Sequence, residues 1–291
     1  MKKENGKTAL VTGASSGFGL LIAVALAQRG YKVAAAMRDP ERQADLLHAA
    51  ERVDAHENIE IVKLDVTDSD EIEAAVSGML RRHGRIDVLV NNAGMAVGGF
   101  TEDVPMSGWR AQMETNFFGL VAMTRAVLPV MRAQGGGTIL QMSSVSGRWG
   151  FPGYGAYAAS KFAVEGFSES LRHEVAPYGI RVALVEPGAY RTPIWAKGFA
   201  EMYGGPDSPY GRALAAVLGY AKRTAESAPD PREVAELVVR LAERRKLSRL
   251  RYPIGRGSSL LLLAGRLLPW RMIEAAVERT MRRRGDDRPP G

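Results

Sequence analysis

Cysteine is absent from all 291 residues. Disulfides and thiolate metal sites are thereby excluded, and a reducing, cytoplasmic setting is the expected one. Histidine is scarce: His48, His56, His83 and His173 show no ligand spacing, so no metal site is expected. Long apolar runs are also missing. Thr8–Gly13 is too short and interrupted for a signal-peptide core. No stretch approaches the roughly 18 to 20 apolar residues of a membrane span. The nearest, Leu260–Ala264, soon meets Arg266.

What is present suits a packed α/β protein. Hydrophobic residues make up 46% and charged residues 24%, so one large core needs no staples. The formal net charge of +7 is uneven. From Arg212 onward there are 18 Lys and Arg against 9 Asp and Glu, a balance of +9, which leaves −2 for the remainder. A basic end favours anionic membrane surfaces or nucleic acid, but a solvated helix face is the plainer explanation. No nucleic-acid partner is expected.

Short apolar runs alternate with longer amphipathic ones. Strands are predicted at 8–12, 32–37, 59–64, 86–90, 138–142 and 181–186, and several are rich in Val, Ile and Leu, as a sheet buried on both faces requires. Helices are predicted at 17–29, 40–53, 69–83, 107–133 and 154–178. Asp39 caps a helix with Pro40 in its first turn, Asp68 opens another, and Gly30, Gly84 and Gly179 end three. Such alternation predicts a doubly wound parallel sheet in a three-layer α/β/α arrangement, with ligands beyond the carboxyl ends of the strands. Residues 190–229 read as irregular. A helix resumes over 231–246, a short strand lies near 250–254, and 258–284 forms two helices separated near Pro269. One domain spanning 1–291 is expected: a cofactor half over about 1–140, a catalytic and substrate half over 141–255, and a helical C-terminal extension over 256–291.

Two features point to a dinucleotide. Thr12-Gly13-Ala14-Ser15-Ser16-Gly17-Phe18-Gly19 lies between the first strand and the first helix. Glycines there let the backbone approach a phosphate, and the helix start offers free N–H groups. About twenty residues later the second strand ends Ala36-Met37-Arg38, with no acid to hold a ribose 2′-hydroxyl. The Arg38 guanidinium matches a 2′-phosphate instead, which favours NADP(H), with NAD(H) still possible. A surface ion pair with Asp39 or Glu41 is the competing explanation.

Tyr157 and Lys161 stand at i and i+4 and share a helix face, and Ser144 closes the fifth predicted strand. A free tyrosine titrates near pH 10, about three units too high for a base near neutrality. An adjacent ammonium favours the phenolate, so Lys161 is expected to lower the Tyr157 pKa.

These residues, with Asn91-Asn92-Ala93-Gly94, Asn116 and Pro187-Gly188-Ala189-Tyr190-Arg191-Thr192, resemble the short-chain dehydrogenase/reductase family, in its single-domain Rossmann subgroup. The resemblance implies an oxidoreductase acting on CH–OH groups and a homo-oligomer, dimer or tetramer. Tyr157 would be the acid or base, and Ser144 rather than Ser143 would orient the substrate oxygen. Lys161 would hold the nicotinamide ribose and lower the tyrosine pKa. Asn116 would hold a water linking Lys161 to solvent. Gly13, Ser15, Ser16, Phe18 and Gly19 would cradle the phosphates. Asp65 and Val66 would meet the adenine, and Asn91, Ala93 and Gly94 would line the groove. Pro187, Gly188, Tyr190 and Thr192 would border the carboxamide. Phe18 and Tyr190 depart from the family, which more often has aliphatic residues there.

The flanking segments are greasy: Met95, Val97 and Phe100; Trp149, Phe151 and Tyr154; Ile194, Trp195, Phe199, Met202 and Tyr203. An apolar alcohol, ketone or aldehyde is the expected substrate. The final helices, with Leu260–Leu263, Leu267, Leu268, Trp270, Met272 and Ile273 beside Arg266, Arg271 and Arg282–Arg284, admit three arrangements: packing on the body, a subunit interface, or peripheral membrane contact. The rival in another class is a non-catalytic NADP-binding regulator on the same fold.

Overall fold

The computed structural model describes residues 6–193 and 202–282. Ile194, Trp195, Phe199, Arg283 and Arg284 lie outside the described residues. The strands are β1 (Thr8–Thr12), β2 (Lys32–Met37), β3 (Ile59–Lys63), β4 (Val88–Asn91), β5 (Gly137–Met142), β6 (Ile180–Pro187) and β7 (Arg251–Ile254). They form one wholly parallel sheet in the order β3-β2-β1-β4-β5-β6-β7. The helices are α1 (Gly17–Gln28), α2 (Ala44–Glu51), α3 (Ser69–His83), α4 (Met106–Met113), α5 (Gly119–Ala133), α6 (Gly155–Val175), α7 (Gly211–Glu226), α8 (Arg232–Glu243), α9 (Ser258–Leu267) and α10 (Trp270–Arg282).

Alternation along the strands builds the three layers. Ala9 and Val11 face one side, with Ile22 and Leu26 of α1 and Val234, Val238 and Leu241 of α8. Leu10 faces the other, with Val76 and Met79 of α3, Met123 and Val127 of α5 and Leu171 of α6. Both faces of the central strands are therefore dry, which is why these strands read as continuous apolar runs.

The predicted punctuation is present. The Asp39 carboxylate accepts from the Glu41 N–H at 3.1 Å, and Asp68 accepts from Asp70 and Glu71 N–H at 2.9 and 3.0 Å. Gly84 and Gly179 take the left-handed conformation at helix ends, with φ of 72° and 70°.

Three differences from the predicted elements have physical causes. The long helix over 107–133 is interrupted by a π-turn at Glu114–Phe118, where Gly119 N–H bonds Glu114 C=O five residues back. The helices predicted over 40–53 and 154–178 each include a 3-10 turn, at Pro40–Gln43 and Ala176–Tyr178, where a proline removes a donor. Residues 190–229 are not irregular throughout, since α7 runs over Gly211–Glu226. Only Leu214, Val217 and Ala221 of that helix are buried, so its apolar stripe is narrow.

Candidate functional site

The strand order reverses direction between β1 and β4, and in open parallel sheets that switch point carries the ligand crevice. The predicted site residues gather along this carboxyl edge.

The β1–α1 turn is built for close approach. Gly13 and Gly17 have φ of 68° and 59°, where a side chain is strained. A Cβ on Gly13 would lie 2.8 Å from Ala93 Cα, and one on Gly19 would overlap the Gly13 carbonyl oxygen and the Asn92 amide. The Thr12 hydroxyl accepts from the N–H groups of Asn92 and Ala93, both at 3.0 Å, and Asn92 Nδ2 donates to Thr12 O at 2.9 Å. Thr12 and Asn92 thus latch the turn to the end of β4, a role unassigned from sequence although both lie in the motifs. Ser16 caps α1 with no side-chain hydrogen bond, and neither it nor Ser15 commits its hydroxyl to another described residue. These hydroxyls and the first N–H groups of α1 are open donors for an anion.

Phe18 and Tyr190, the two departures from the family, touch. Their rings meet edge to face at 5.6 Å, and the buried Tyr190 hydroxyl donates to Glu233 Oε2 of α8 at 3.0 Å. Burial first, and the Glu233 carboxylate second, push the Tyr190 pKa up. Tyr190 therefore sits under the glycine turn as a packing residue, while Thr192 lies against it: a Cβ on Gly17 would be 3.7 Å from Thr192 Cβ. Pro187 ends β6, and the Gly188 N–H donates to Ile254 O at 2.9 Å.

At the far end of the crevice a cavity of about 550 Å³ is lined by Arg38, Lys63, Asp65, Thr67, Asp68 and their neighbours. Three of the four acids there are occupied. Asp65 accepts from Thr67 N–H at 3.0 Å, Asp68 caps α3, and Glu71 pairs with Lys63 at 2.7 Å while accepting from Asp65 N–H at the same distance. Arg38 pairs with none of the described residues, neither Asp39 nor Glu41. Lys63 brings a second cation to this cavity, which the sequence does not show because β2 and β3 are joined through α2. Val66 is buried against Gly119.

Asn91, expected in the cofactor groove, and Val97, expected in the apolar flank of the nicotinamide, both pack inward. The Asn91 side chain is buried, and its amide donates to Thr124 Oγ1 at 3.0 Å and Gln141 Oε1 at 2.8 Å. Val97 packs with Val104 and Ala156 rather than facing open space. Ala93 and Gly94 lie at the end of β4, Gly94 beside Asn116.

The catalytic candidates converge at the ends of β5 and α6. The Tyr157 phenol lies near enough to Ser144 for that side chain to favour its ionised form. Ser144 Oγ also reaches Pro187 O at 3.5 Å and accepts from Ser146 N–H at 3.1 Å. Ser143 turns away and bonds Glu165, so of the serine pair only Ser144 meets the tyrosine. Lys161 is buried, its Nζ donates to Met142 O at 2.8 Å, and it stands 5.7 Å from the Tyr157 ring centroid. Burial lowers the Lys161 pKa to about 8, against the opposing pull of Glu165. Burial also raises the Tyr157 pKa, and Ser144 only partly offsets this. The net direction is therefore the opposite of the expected lowering, because burial dominates the phenol. Asn116, in the π-turn, accepts from Met95 N–H at 2.9 Å and donates to Met95 O at 3.0 Å and Ser160 Oγ at 3.2 Å.

Behind Ser144 lies a charged network with no sequence signal. Arg251 of β7 bonds Glu165 and Glu169 of α6 at 2.7 and 2.6 Å, and Arg148 reaches Glu186 at 3.3 Å. Glu186 is fully buried, and its Oε2 finds no partner among the described residues. Burial and then Glu165 push its pKa up to about 7, against Arg148 and Arg251. Among the described residues no group of three His, Asp or Glu is placed to hold a metal.

Comparison with known proteins agrees with this geometry. The family model described as short chain dehydrogenase matches residues 7–202. The uncharacterized oxidoreductase YusZ of Bacillus subtilis is 46% identical over 279 residues, 95% of this chain and 99% of that protein. A 3-ketodihydrosphingosine reductase of Bacteroides thetaiotaomicron is 36% identical over 81% of this chain and 83% of its own length. Among solved structures, a short-chain dehydrogenase from Streptomyces avermitilis superimposes with a TM-score of 0.79 at 37% identity, covering 98% of this chain and 100% of that one. A short chain dehydrogenase/reductase from Burkholderia phymatum in complex with NAD gives 0.77 at 27%, over 95% and 97% of the two chains. The actinorhodin polyketide ketoreductase with NADPH gives 0.76 at 31%, over 89% and 99%.

Proposed function

The chain belongs to the short-chain dehydrogenase family, a family of nicotinamide-dependent oxidoreductases, and from that premise we propose that it interconverts an apolar alcohol and its ketone or aldehyde with NADP(H), Tyr157 serving as acid or base. The observation that carries the reading is the convergence of Ser144, Tyr157 and buried Lys161 at the carboxyl edge of the sheet, with the Lys161 ammonium 5.7 Å from the Tyr157 ring.

The residues present fit the cofactor. Gly13 and Gly19 leave no room for a Cβ but a smooth backbone for a pyrophosphate, Ser15 and Ser16 offer uncommitted hydroxyls, and Arg38 offers an unpaired guanidinium. Bound there, the nicotinamide would accept or supply hydride. The protein's part is proton transfer and orientation. In reduction, Tyr157 gives its proton to the carbonyl oxygen, and Ser144 donates a hydrogen bond to that oxygen. Burial keeps the proton on the phenol, which suits the reductive direction. Lys161 would hold a hydroxyl of the nicotinamide ribose, and Asn116 braces the Met95 backbone in the loop after β4.

An apolar substrate is supported by aromatic and aliphatic contacts in the loops that follow β4 and β5 and at the start of α7. Phe100 stacks on Tyr210 at 5.0 Å, Trp149 on Phe151 at 6.5 Å, and Gly153 meets Val217 of α7. The long-chain keto substrate named for one relative points the same way. We take residues 1–291 as one domain acting in a cytoplasmic homo-oligomer.

Tyr157→Phe tests the reading. With NADPH and a panel of apolar ketones and aldehydes, turnover should fall by about 10²–10⁴-fold while NADPH affinity stays within twofold. A wild-type protein that binds NADPH and reduces no carbonyl would instead be a cofactor-binding regulator.

A further inference from the structure

The C-terminal hairpin of α9 and α10 leaves part of its apolar surface uncovered by the other described residues. Leu260, Leu263 and Leu267 stand at i, i+3 and i+7 of α9 and are 71%, 50% and 69% exposed. Leu268, Trp270 and Met272 carry exposed apolar surface around the turn at Pro269. Isolated surface leucines need no explanation, but a continuous ridge of this kind marks an interface. Ile273 is buried, and Gly265 lies so close to Trp149 that a Cβ would meet the indole at 2.6 Å, so the hairpin is seated on the body and its ridge points outward.

Charge identifies the occupant. Arg256, Arg266 and Arg271 are exposed, and none pairs with another described residue, whereas Arg82, Arg148 and Arg251 all have carboxylate partners. Of the nearby acids, Glu274 already accepts the Trp270 indole N–H at 2.7 Å. Leucines and a tryptophan flanked by free guanidinium groups match acyl chains beneath phosphate headgroups. A second copy of this chain on a two-fold axis would bring two sets of these unpaired arginines into one interface. No helix among the described residues is long and apolar enough to cross a membrane, so the contact would lie in the interface plane.

We propose that α9 and α10 dock the protein on the surface of an anionic lipid bilayer through this ridge. The docking rests on the hairpin alone and stands apart from the catalytic reading. A groove of about 380 Å³ between Trp149–Pro152 and α10 opens beside the ridge and would lie close to the lipid.

Flotation of the full chain with phosphatidylcholine vesicles, and with vesicles holding one quarter phosphatidylglycerol, tests it. Binding to the anionic vesicles should be at least tenfold stronger and should weaken in 0.5 M salt. Leu263→Glu with Leu267→Glu should abolish it, and Arg266→Glu with Arg271→Glu should cut it at least fivefold. NADPH affinity and circular dichroism should stay unchanged in both variants, since the residues are exposed. Equal binding to both vesicle types, wild-type affinity in either variant, or no binding would overturn the proposal. So would a wild-type dimer that the double leucine variant splits into monomers, which would give the ridge to a second copy.

Discussion

Arg38→Ala isolates the cofactor preference from everything else in the crevice. Arg38 directly follows Met37, which ends β2 opposite Lys63 of β3, in a cavity where three of the four acids are already engaged. A guanidinium hydrogen-bonded to a charged partner contributes about 1.5–3 kcal/mol. Two features favour the low end. The side chain is exposed and therefore screened, and Asp65, Asp68, Asp70 and Glu71 outnumber the two cations in the same cavity. A loss of about 1–2 kcal/mol is then expected, or roughly 5- to 30-fold in affinity. Fluorescence titration with NADPH and NADH in parallel is the assay. NADPH should weaken by that factor while NADH, which lacks the 2′-phosphate, stays within twofold. Equal weakening of both cofactors would mean that Arg38 supports the loop rather than the phosphate. An unchanged NADPH affinity would refute the reasoning outright.

Gly19→Ala forces a methyl group into the Gly13 carbonyl and the Asn92 amide, so NADPH should bind at least tenfold more weakly, and urea unfolding should show a loss of about 1–3 kcal/mol. A variant with wild-type affinity would show that the turn relaxes freely. Lys161→Met should abolish turnover without lowering the melting temperature at pH 7. The reason is linkage: burial lowers this lysine to about 8, so below pH 8 the native state bears the cost of an ammonium that the unfolded chain holds freely, and that cost vanishes only above pH 10.5. A drop of more than about 5 °C would contradict this. Glu186 has the opposite sign from an ordinary carboxylate. Its pKa is raised from 4.5 to about 7, so its contribution to stability is complete below pH 4.5 and disappears as pH climbs through 7. Glu186→Gln should flatten the urea midpoint between pH 5 and 8, and a slope that survives the substitution would assign it to Glu165 or another group of the network.

The residues most legible from sequence are those whose geometry is local. A glycine turn between a strand and a helix, a Tyr and a Lys four apart on one helix, and a serine at a strand end are each placed by their own element. The structure accordingly brings Ser144 to Tyr157, and Gly17 to Thr192. What stayed hidden depends on contacts between distant segments. Arg148, Glu186 and Arg251 come from a loop and two strands, and no spacing announces that they meet. The same holds for the destination of Lys161. Its position on the helix face is readable, but the Met142 carbonyl it donates to belongs to β5, and the burial that raises the Tyr157 pKa comes from packing between distant segments. Helix α7 escaped for a different reason, since three buried positions in sixteen leave too thin a stripe.

Phe18 and Tyr190 show how two departures from a motif can be one feature. Taken singly, an aromatic ring in the phosphate turn and another after β6 each look disruptive. Together they pack edge to face, an arrangement contributing about 0.5–1.5 kcal/mol beyond simple burial. The Tyr190 hydroxyl then extends the contact to Glu233 of α8, on the same sheet face as α1. A lone aliphatic substitution at either position would leave the partner ring beside a void, and at Tyr190 it would also remove the part-buried hydrogen bond to Glu233. The cofactor turn is thus braced from the C-terminal half of the chain, and the two aromatics are expected to change together or not at all.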